Sequence, residues 1–260
     1  MNNPLLIIPT YFGKPEALIV FKNCIDSLRN TTDAEVYIVD DKSPDDALLS
    51  EAIKHTHQYA NVTWFYNREN SGFAKTVNIG LRKCLKEKRD AVLVNQDLEF
   101  PENGWLEQMG SNDAAITGAL LLYPNMLIQH AGIFFSAITR TFNHRFLYCM
   151  PNTPEALVPA KCPVTGALQY IKYETIQEIG LYDENFFLGY EDVDYNLRVL
   201  FGGGECVYDP KVKALHHESL IRKGIQNDKQ AESLRYMMKK YENVHFAGYV
   251  PTLLEKRSNF

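Results

Sequence analysis

Short apolar runs that alternate with amphipathic stretches fill the first half of the chain and constrain its fold most strongly. The runs hold four or five residues and lack the polar–apolar alternation of a strand with one face in water, so they predict strands buried on both faces. The stretches between them space apolar residues three or four positions apart, which predicts helices. The predicted strands are residues 5–8, 36–39, 62–66 and 91–94, and the predicted helices are residues 15–29, 45–56 and 74–87. This alternation predicts an α/β fold with a single Rossmann-like, mostly parallel sheet and helices on both faces.

The second half of the chain has a less regular pattern. Residues 140–160 contain three prolines and predict a long loop. The predicted strands here are residues 115–122, 131–136, 205–208 and 212–215, and the predicted helices are residues 174–179, 191–201 and 227–241. No repeat or linker interrupts the chain, so we expect one domain over residues 1–225 and a C-terminal helical extension over residues 226–260 that packs on it.

Composition narrows the class of protein. Lys plus Arg is 27 and Asp plus Glu is 32, and the resulting charge of −5 argues against a nucleic-acid partner, with a local basic groove left open. The five cysteines are odd in number and form no CxxC pair, which favours a reducing compartment. The N-terminus lacks the basic region of a signal peptide, and no apolar run reaches the roughly 18 residues of a membrane span. We therefore expect a soluble, cytoplasmic protein.

Polar side chains follow each of the first four predicted strands. They are Pro9-Thr10-Tyr11, Asp40-Asp41, the loop from Asn70 to Lys75, and Asn95-Gln96-Asp97. Each group alone is also explained by turn formation, in which Asp, Asn and Ser are common. Because ligands of open α/β sheets bind beyond the carboxyl ends of the strands, the four groups together predict a polar crevice at that edge.

Three further groups have a chemical interpretation and a structural one. Asp97 suits a hard divalent cation bound to a diphosphate, or caps a turn. The acids of residues 191–194 either interact with the dipole of a helix that begins there or include a general base. The pair His216-His217 supplies either a metal ligand for Mn²⁺ or Mg²⁺ or ordinary hydrogen-bonded histidines.

Several catalytic motifs are absent from the sequence. Residues 202–204 are three glycines, but they follow a predicted helix, whereas the dinucleotide fingerprint lies between a strand and a helix. The chain also lacks the phosphate-binding GxxxxGK[ST], the hydrolase GxSxG and the metalloprotease HExxH.

Taken in order, the motifs resemble those of a family 2 glycosyltransferase with a GT-A fold, in its rhamnosyltransferase-like branch. The resemblance runs from about residue 4 to about residue 241. It rests on Pro9-Thr10-Tyr11, IVDDKSPDD (38–46), ENSGFAKTVNIGL (69–81), VLVNQDLEFPENGWL (92–106), PVTGALQYIK (163–172), GLYDENFFLGYEDVDYNLR (180–198) and ALHHES (214–219). Each motif is loose, but seven in the family's order are specific.

The resemblance implies a role for each matching residue. Asp192 stands at the position of the catalytic base, within the pair Glu191-Asp192, and Asp97 and His216 stand at the metal ligands, with His217 the less fitting choice. Asn78 would brace the loop around Gly72. The nucleotide-sugar contacts implied by the resemblance are Pro9, Thr10, Tyr11, Asp40, Asp41, Asn70, Gly72, Phe73, Ala74, Lys75, Asn78, Asn95, Gln96 and Gly166.

The implied reaction is the inverting transfer of a sugar from a UDP- or dTDP-sugar to a hydroxyl of a glycan or other acceptor, assisted by Mn²⁺ or Mg²⁺. Three positions depart from the family's pattern, and one of them is Ile221, which stands where many relatives have Ser or Thr after the His motif. Asn95 replaces the first acid of the DxD motif, which removes one charge from the metal site. Lys75 stands where the branch often has Gly, and would either contact the diphosphate or point to solvent. A homodimer and peripheral association with a membrane-borne acceptor both stay open.

Two alternatives belong to other classes. A sugar nucleotidyltransferase has a similar sheet, but it carries a glycine-rich loop with an Arg directly after strand one, where this chain has residues 9–14 without that pattern. A catalytically inactive nucleotide- or glycan-binding module would be favoured by loss of Asp97 or Asp192, and both are present.

Overall fold

The computed structural model describes residues 3–217 and 227–253. Its strands are β1 (Leu5–Thr10), β2 (Val36–Asp40), β3 (Val62–Tyr66), β4 (Ala91–Val94), β5 (Leu98–Glu99), β6 (Ile116–Leu122), β7 (Ile128–His130), β8 (Ile133–Ser136), β9 (Thr141–His144), β10 (Ala160–Lys161), β11 (Leu168–Ile171), β12 (Cys206–His216) and β13 (Thr252–Leu253). Its α-helices are α1 (Pro15–Thr31), α2 (Asp46–Thr56), α3 (Phe73–Glu87), α4 (Trp105–Gly110), α5 (Tyr173–Ile179), α6 (Glu191–Phe201) and α7 (Asn227–Lys240), and a 3-10 helix spans Pro154–Leu157.

The main sheet has the strand order β10-β12-β6-β11-β4-β1-β2-β3, with β5 beside β12 and β7 beside β6. Parallel pairing joins β4, β1, β2 and β3, and also joins β6 with β12. Strand β11 runs antiparallel between β4 and β6. The sheet is therefore mixed, and most of its paired residues lie in parallel ladders, which confirms the expected α/β class.

The apolar runs of β1, β2 and β4 are buried on both faces, as expected, whereas β3 lies at the edge of the sheet and its residues are half-buried or exposed, so the prediction of a buried strand was wrong there. In β1, Leu6 and Ile8 pack with α1, α2 and α4, whereas Leu5 and Ile7 pack with α3, α5 and α6 on the other face. All four side chains are fully buried. Burial on both faces explains why no polar residue interrupts the run.

The second half of the chain differs from expectation in several places, one of which is the unpredicted strand β7. Residues 140–160, predicted as loop, contain β9, and β9 joins β8 and β13 in a second sheet with the order β13-β8-β9. The predicted strands 205–208 and 212–215 form one strand, β12, whose register shifts between Asp209 and Lys213. Pro210 lies in that shift, where a missing N–H is tolerated. Strand β11 was not predicted, because its polar Gln169 interrupts the apolar pattern.

The C-terminal segment packs against α6. Met237 of α7 and Tyr241, which directly follows the helix, share a core cluster with Val193 and Leu197 of α6, and Phe246 joins them. The expected domain boundary at residues 225–226 lies outside the described residues. Among the helices within the described ranges, none is long and apolar enough to cross a membrane.

Candidate active site

A cavity of about 210 Å³ opens beside the carboxyl end of β4. It is bounded by the residue after β4, by β7 and β9, by the loop before β11, by the start of α6 and by the end of β12. Six of the residues expected in the site line this cavity: Phe73, Asn95, Gly166, Glu191, Asp192 and His216. Residues more than 100 positions apart in the sequence are therefore brought together by the sheet.

Asp192 is held in one orientation at the start of α6. Its Oδ2 accepts a hydrogen bond from the Gly166 backbone N–H at 2.9 Å, and its Oδ1 accepts one from the Val193 N–H at 2.8 Å. A Cβ on Gly166 would lie 3.2 Å from the Cβ of Asp192, so this close approach favours glycine. Because each carboxylate oxygen accepts more than one hydrogen bond, the group keeps acceptor capacity toward the cavity. Glu191 beside it is buried and also lines the cavity.

Asp97 and His216 form a buried pair at the edge of the same cavity. The pairing of β5 with β12 sets His216 opposite Leu98, and His216 Nε2 lies 3.2 Å from Asp97 Oδ1. His217 turns away, and its Nε2 lies 3.0 Å from Glu99 Oε1. Of the two histidines, His216 is the one that faces Asp97.

One carboxylate oxygen and one imidazole nitrogen fit a divalent cation that brings further oxygen ligands with it. No group of three or more His, Cys, Asp or Glu suited to a metal occurs in residues 3–217 and 227–253. Mg²⁺ is commonly held by one or two protein groups together with substrate phosphates. The Asp97–His216 pair therefore suits a metal that arrives with a diphosphate.

Burial and the charge of Asp97 raise the pKa of the nearby Cys24 thiol, so this thiol stays neutral.

The acids Asp40 and Asp41, at the end of β2, hold neighbouring loops in place. Asp41 accepts hydrogen bonds from the backbone N–H groups of Ser71 and Gly72, each at 2.8 Å, and from the Asn67 amide at 2.8 Å. Asp40 accepts hydrogen bonds from the Ser43 hydroxyl and, at 3.0 Å, from the Ser43 N–H. Burial raises the pKa of Asp40, against the lowering effect of these bonds. Neither carboxylate lines the cavity. Their hydrogen bonds hold the loops at this edge of the sheet in place.

Contacts of the first strand end and the Gly72 loop also lie beyond the cavity. Thr10 Oγ1 lies 3.4 Å from Asp40 Oδ1, and Gln96 Oε1 accepts from the Tyr11 N–H at 2.8 Å. Asn78 does not contact the Gly72 loop through its amide but bonds the Tyr182 backbone in both directions, each at 2.9 Å. Further expected contacts that do not line the cavity are Pro9, which lies within β1, Ala74, which is buried in the core, exposed Asn70, and half-buried Lys75.

Several cavity residues escaped the sequence interpretation. They include Gln129, His130, His144 and Thr165. His130 is fully buried, and its Nε2 accepts from the N–H groups of Gly132 and Thr165 at 3.3 and 3.4 Å. Burial, followed by the neighbouring His144, lowers the pKa of His130 well below its usual value. No spacing in the sequence signals these residues, because β7 and β9 reach the cavity through pairing with distant strands.

Comparison with known proteins found similar sequences and similar folds. The sequence profile of Glycosyl transferase family 2 matches residues 5–111. The chain is 27% identical over 143 residues to the O-antigen biosynthesis protein RfbC of Myxococcus xanthus, a match over 51% of this chain and 11% of that protein. It is 28% identical over 188 residues to the protein y4gI of Sinorhizobium fredii, over 65% of this chain and 20% of that protein. The chain thus spans between a tenth and a fifth of the length of these relatives.

Two solved structures share the fold. GalNAc-T7 with UDP, GalNAc and Mn²⁺ superposes with a TM-score of 0.69 at 18% identity, over 96% of this chain and 49% of that one. The mannosyltransferase PcManGT from Pyrobaculum calidifontis, with GDP-Man and Mn²⁺, superposes with a TM-score of 0.64 at 16% identity, over 94% of this chain and 65% of that one. Residues 5–111 thus carry the sequence pattern of glycosyl transferase family 2, and the chain has the GT-A-like α/β fold of these two transferases.

Proposed function

We propose that the protein is an inverting glycosyltransferase that moves a sugar from a UDP- or dTDP-sugar to a hydroxyl of a glycan or other acceptor. The observation that carries the proposal is the Asp192 carboxylate, held by two backbone N–H groups in a cavity that it shares with His216. The family pattern over residues 5–111 supports a nucleotide-sugar donor. The Mn²⁺ in both similar structures supports a divalent cation, Mn²⁺ or Mg²⁺.

In this proposal Asp192 is the general base. The acceptor oxygen attacks the anomeric carbon of the donor, and the bond from that carbon to the diphosphate breaks. The proton of the acceptor hydroxyl passes to the Asp192 carboxylate, and the electron pair of the broken bond leaves with the nucleoside diphosphate. General-base assistance of this kind contributes about 10²–10⁴-fold to the rate. Attack from the face opposite the leaving group inverts the anomeric centre.

Asp97 and His216 would hold the divalent cation in the same proposal. Their facing Oδ1 and Nε2 atoms, 3.2 Å apart, supply one hard and one borderline ligand. When bound, the cation supplies neutralisation of the negative charge that develops on the leaving diphosphate. The groups after β1 and β2, with the loop at Gly72, would bind the nucleotide.

The test of the base assignment is Asp192→Asn. The purified protein is incubated with Mn²⁺ and a panel of UDP-, dTDP- and GDP-sugars, with and without simple glycan acceptors, and release of nucleoside diphosphate is measured. We expect Asp192→Asn to bind the nucleotide as the wild type does and to lose at least about 100-fold in transfer rate. Exposed Asp113→Asn is the matched control and keeps full activity. Near-normal turnover of Asp192→Asn contradicts the assignment.

The metal assignment has a separate test in Asp97→Ala. Calorimetry with UDP, dTDP and GDP is run with Mn²⁺ and again with EDTA. We expect Mn²⁺ to strengthen nucleotide binding to the wild type, and Asp97→Ala to lose this gain because one of two protein ligands is removed. Equal gains in both proteins would show that Asp97 does not bind the metal.

A further inference from the structure

Strand β7 contains a bulge at the residue that contacts His216. In the pairing of β7 with β6, Leu121 lies opposite His130 and Leu122 lies opposite Ile128, so Gln129 is the additional residue. Consecutive residues of a regular strand point to opposite faces. Here Gln129 and His130 both line the cavity. Bulges next to active sites commonly re-aim a side chain in this way.

The Gln129 side chain determines which nitrogen of His216 carries the proton. Gln129 Oε1 lies 2.6 Å from His216 Nδ1, and both residues are only 4% exposed. An amide oxygen only accepts hydrogen bonds, so Nδ1 is the protonated nitrogen. In the neutral imidazole Nε2 then carries the lone pair, and Asn95 Nδ2 at 3.4 Å is a donor toward it.

The same orientation aims the lone pair at the proposed metal position. His216 Nε2 faces Asp97 Oδ1 at 3.2 Å. Two electron-rich atoms at this distance repel each other unless a proton on Nε2 or a cation lies between or beside them. Histidines that bind metals usually donate their other N–H to an oxygen acceptor, which fixes the tautomer and the ring orientation.

We propose that Gln129 is a positioning residue for His216: its amide oxygen keeps the proton on Nδ1, so that Nε2 presents its lone pair to the divalent cation. The inference rests on the proposed function, since it deepens the role given there to Asp97 and His216. In this proposal Gln129 acts through His216.

Gln129→Met tests the proposal, because Met has a similar shape and lacks the amide oxygen. Mn²⁺ binding is measured by electron paramagnetic resonance in the presence of UDP, and in parallel with dTDP and GDP. We expect Gln129→Met to weaken Mn²⁺ binding about 10- to 100-fold. Gln129→Glu keeps an oxygen acceptor, and we expect it to restore binding to within about threefold of the wild type. Gln108→Met, at a half-buried Gln that bonds Asp209, is the matched control.

Nitrogen-15 NMR of the imidazoles gives a second readout that a merely structural role would not change. Spectra are recorded with Mg²⁺ and UDP, since Mn²⁺ broadens the signals, and His216→Ala assigns the resonance. We expect a protonated Nδ1 and an unprotonated Nε2 in the wild type and in Gln129→Glu. Gln129→Met should lose this tautomer preference.

The outcomes separate this inference from the proposed function. If His216→Ala weakens Mn²⁺ binding but Gln129→Met binds as the wild type does, the positioning role is overturned and the metal site stands. If His216→Ala leaves Mn²⁺ binding unchanged, the metal assignment of the proposed function is overturned together with the inference. A wild-type His216 protonated on Nε2 alone also overturns the inference.

Discussion

At Gly72 the loop after β3 closely approaches the segment that leads into α6. Its φ of 85° and ψ of 171° fall in a region that only glycine readily adopts. A Cβ there would lie 2.4 Å from the backbone oxygen of Phe187, and the next N–H, that of Phe73, bonds this oxygen at 2.9 Å. Glycine therefore allows the loop after β3 to pack against the segment that leads into α6.

Gly72→Ala should lower the free energy of unfolding by about 1–3 kcal/mol from backbone strain alone, with a further loss from displacing Phe187. Gly104→Ala is the matched control, because Gly104 also has a positive φ of 79° but nothing lies within 4 Å of its Cβ position. Urea denaturation of both variants gives the comparison. Equal losses would mean that the contact with Phe187 contributes nothing.

At the scale of elements, α7 is tied to α6 through a buried carboxylate. Asp194 of α6 is fully buried, and it accepts hydrogen bonds from Arg198 Nε at 2.9 Å, the Tyr241 hydroxyl at 2.8 Å and Lys240 Nζ at 2.6 Å. Burial and the charge of Asp194 raise the pKa of Tyr241, so its hydroxyl remains a donor. Asp192 lies on the same helix, so the C-terminal segment supports the helix that carries it, and Gln230 of α7 also lines the cavity.

Asp194→Ala should destabilise the protein by about 3–5 kcal/mol, because it leaves the charges of Arg198 and Lys240 without their buried partner. Tyr241→Phe is milder and should cost about 1–3 kcal/mol, the loss of one hydrogen bond to a charged group. Hydrogen exchange should show faster opening of α7 in Tyr241→Phe. Tyr249→Phe, at an exposed position, should leave stability and exchange unchanged. Unaltered exchange in Tyr241→Phe would show that the bond does not hold the helix.

For the whole molecule, buried His130 couples stability to pH. Because its pKa is lowered, His130 stays neutral in the folded protein at pH values where it binds a proton in the unfolded chain, which is below about pH 6.5. The unfolded state then binds more protons than the folded state below this pH, so stability is complete above about pH 6.5 and is lost as the pH falls. Hydrogen bonds from Lys83 and Asn78 lower the pKa values of Glu87 and Glu184 respectively. The stability that these two carboxylates contribute is lost at lower pH, near pH 4.

The free energy of unfolding should therefore fall between pH 6.5 and 5, with a contribution from His130 of up to about 1.4 kcal/mol per pH unit. His130→Asn removes the titrating group and keeps a polar side chain, so its profile should be flatter over this range. Urea denaturation from pH 7.5 to 5 measures both profiles. Parallel profiles for the two proteins would assign the pH dependence to other groups.

The spacing of apolar residues predicted those strands and helices that have the same surroundings along their whole length. Strand β1 is buried on both faces, and its apolar run predicts it without knowledge of its neighbours. Helix α3 shows the same for an amphipathic stretch. Strands β9 and β11 carry mixed side chains, and they form because β8, β4 and β6 offer them edges. Pairing of this kind depends on segments that are distant in the sequence, and a short stretch of residues does not reveal them.

The candidate site divides in the same way. Asp97, Asp192 and His216 were predicted as site residues because the order of their motifs resembles a known family, since each group alone also has a structural interpretation. Gln129 and His130 could not be predicted from the sequence, because a bulge in β7 turns these two consecutive side chains toward the same cavity. The sequence by itself determined the fold class and the types of chemical group at the sheet edge, because burial and periodicity are local properties. Only the tertiary structure decided which groups meet, because register, bulges and the approach of glycine backbones depend on packing between distant segments.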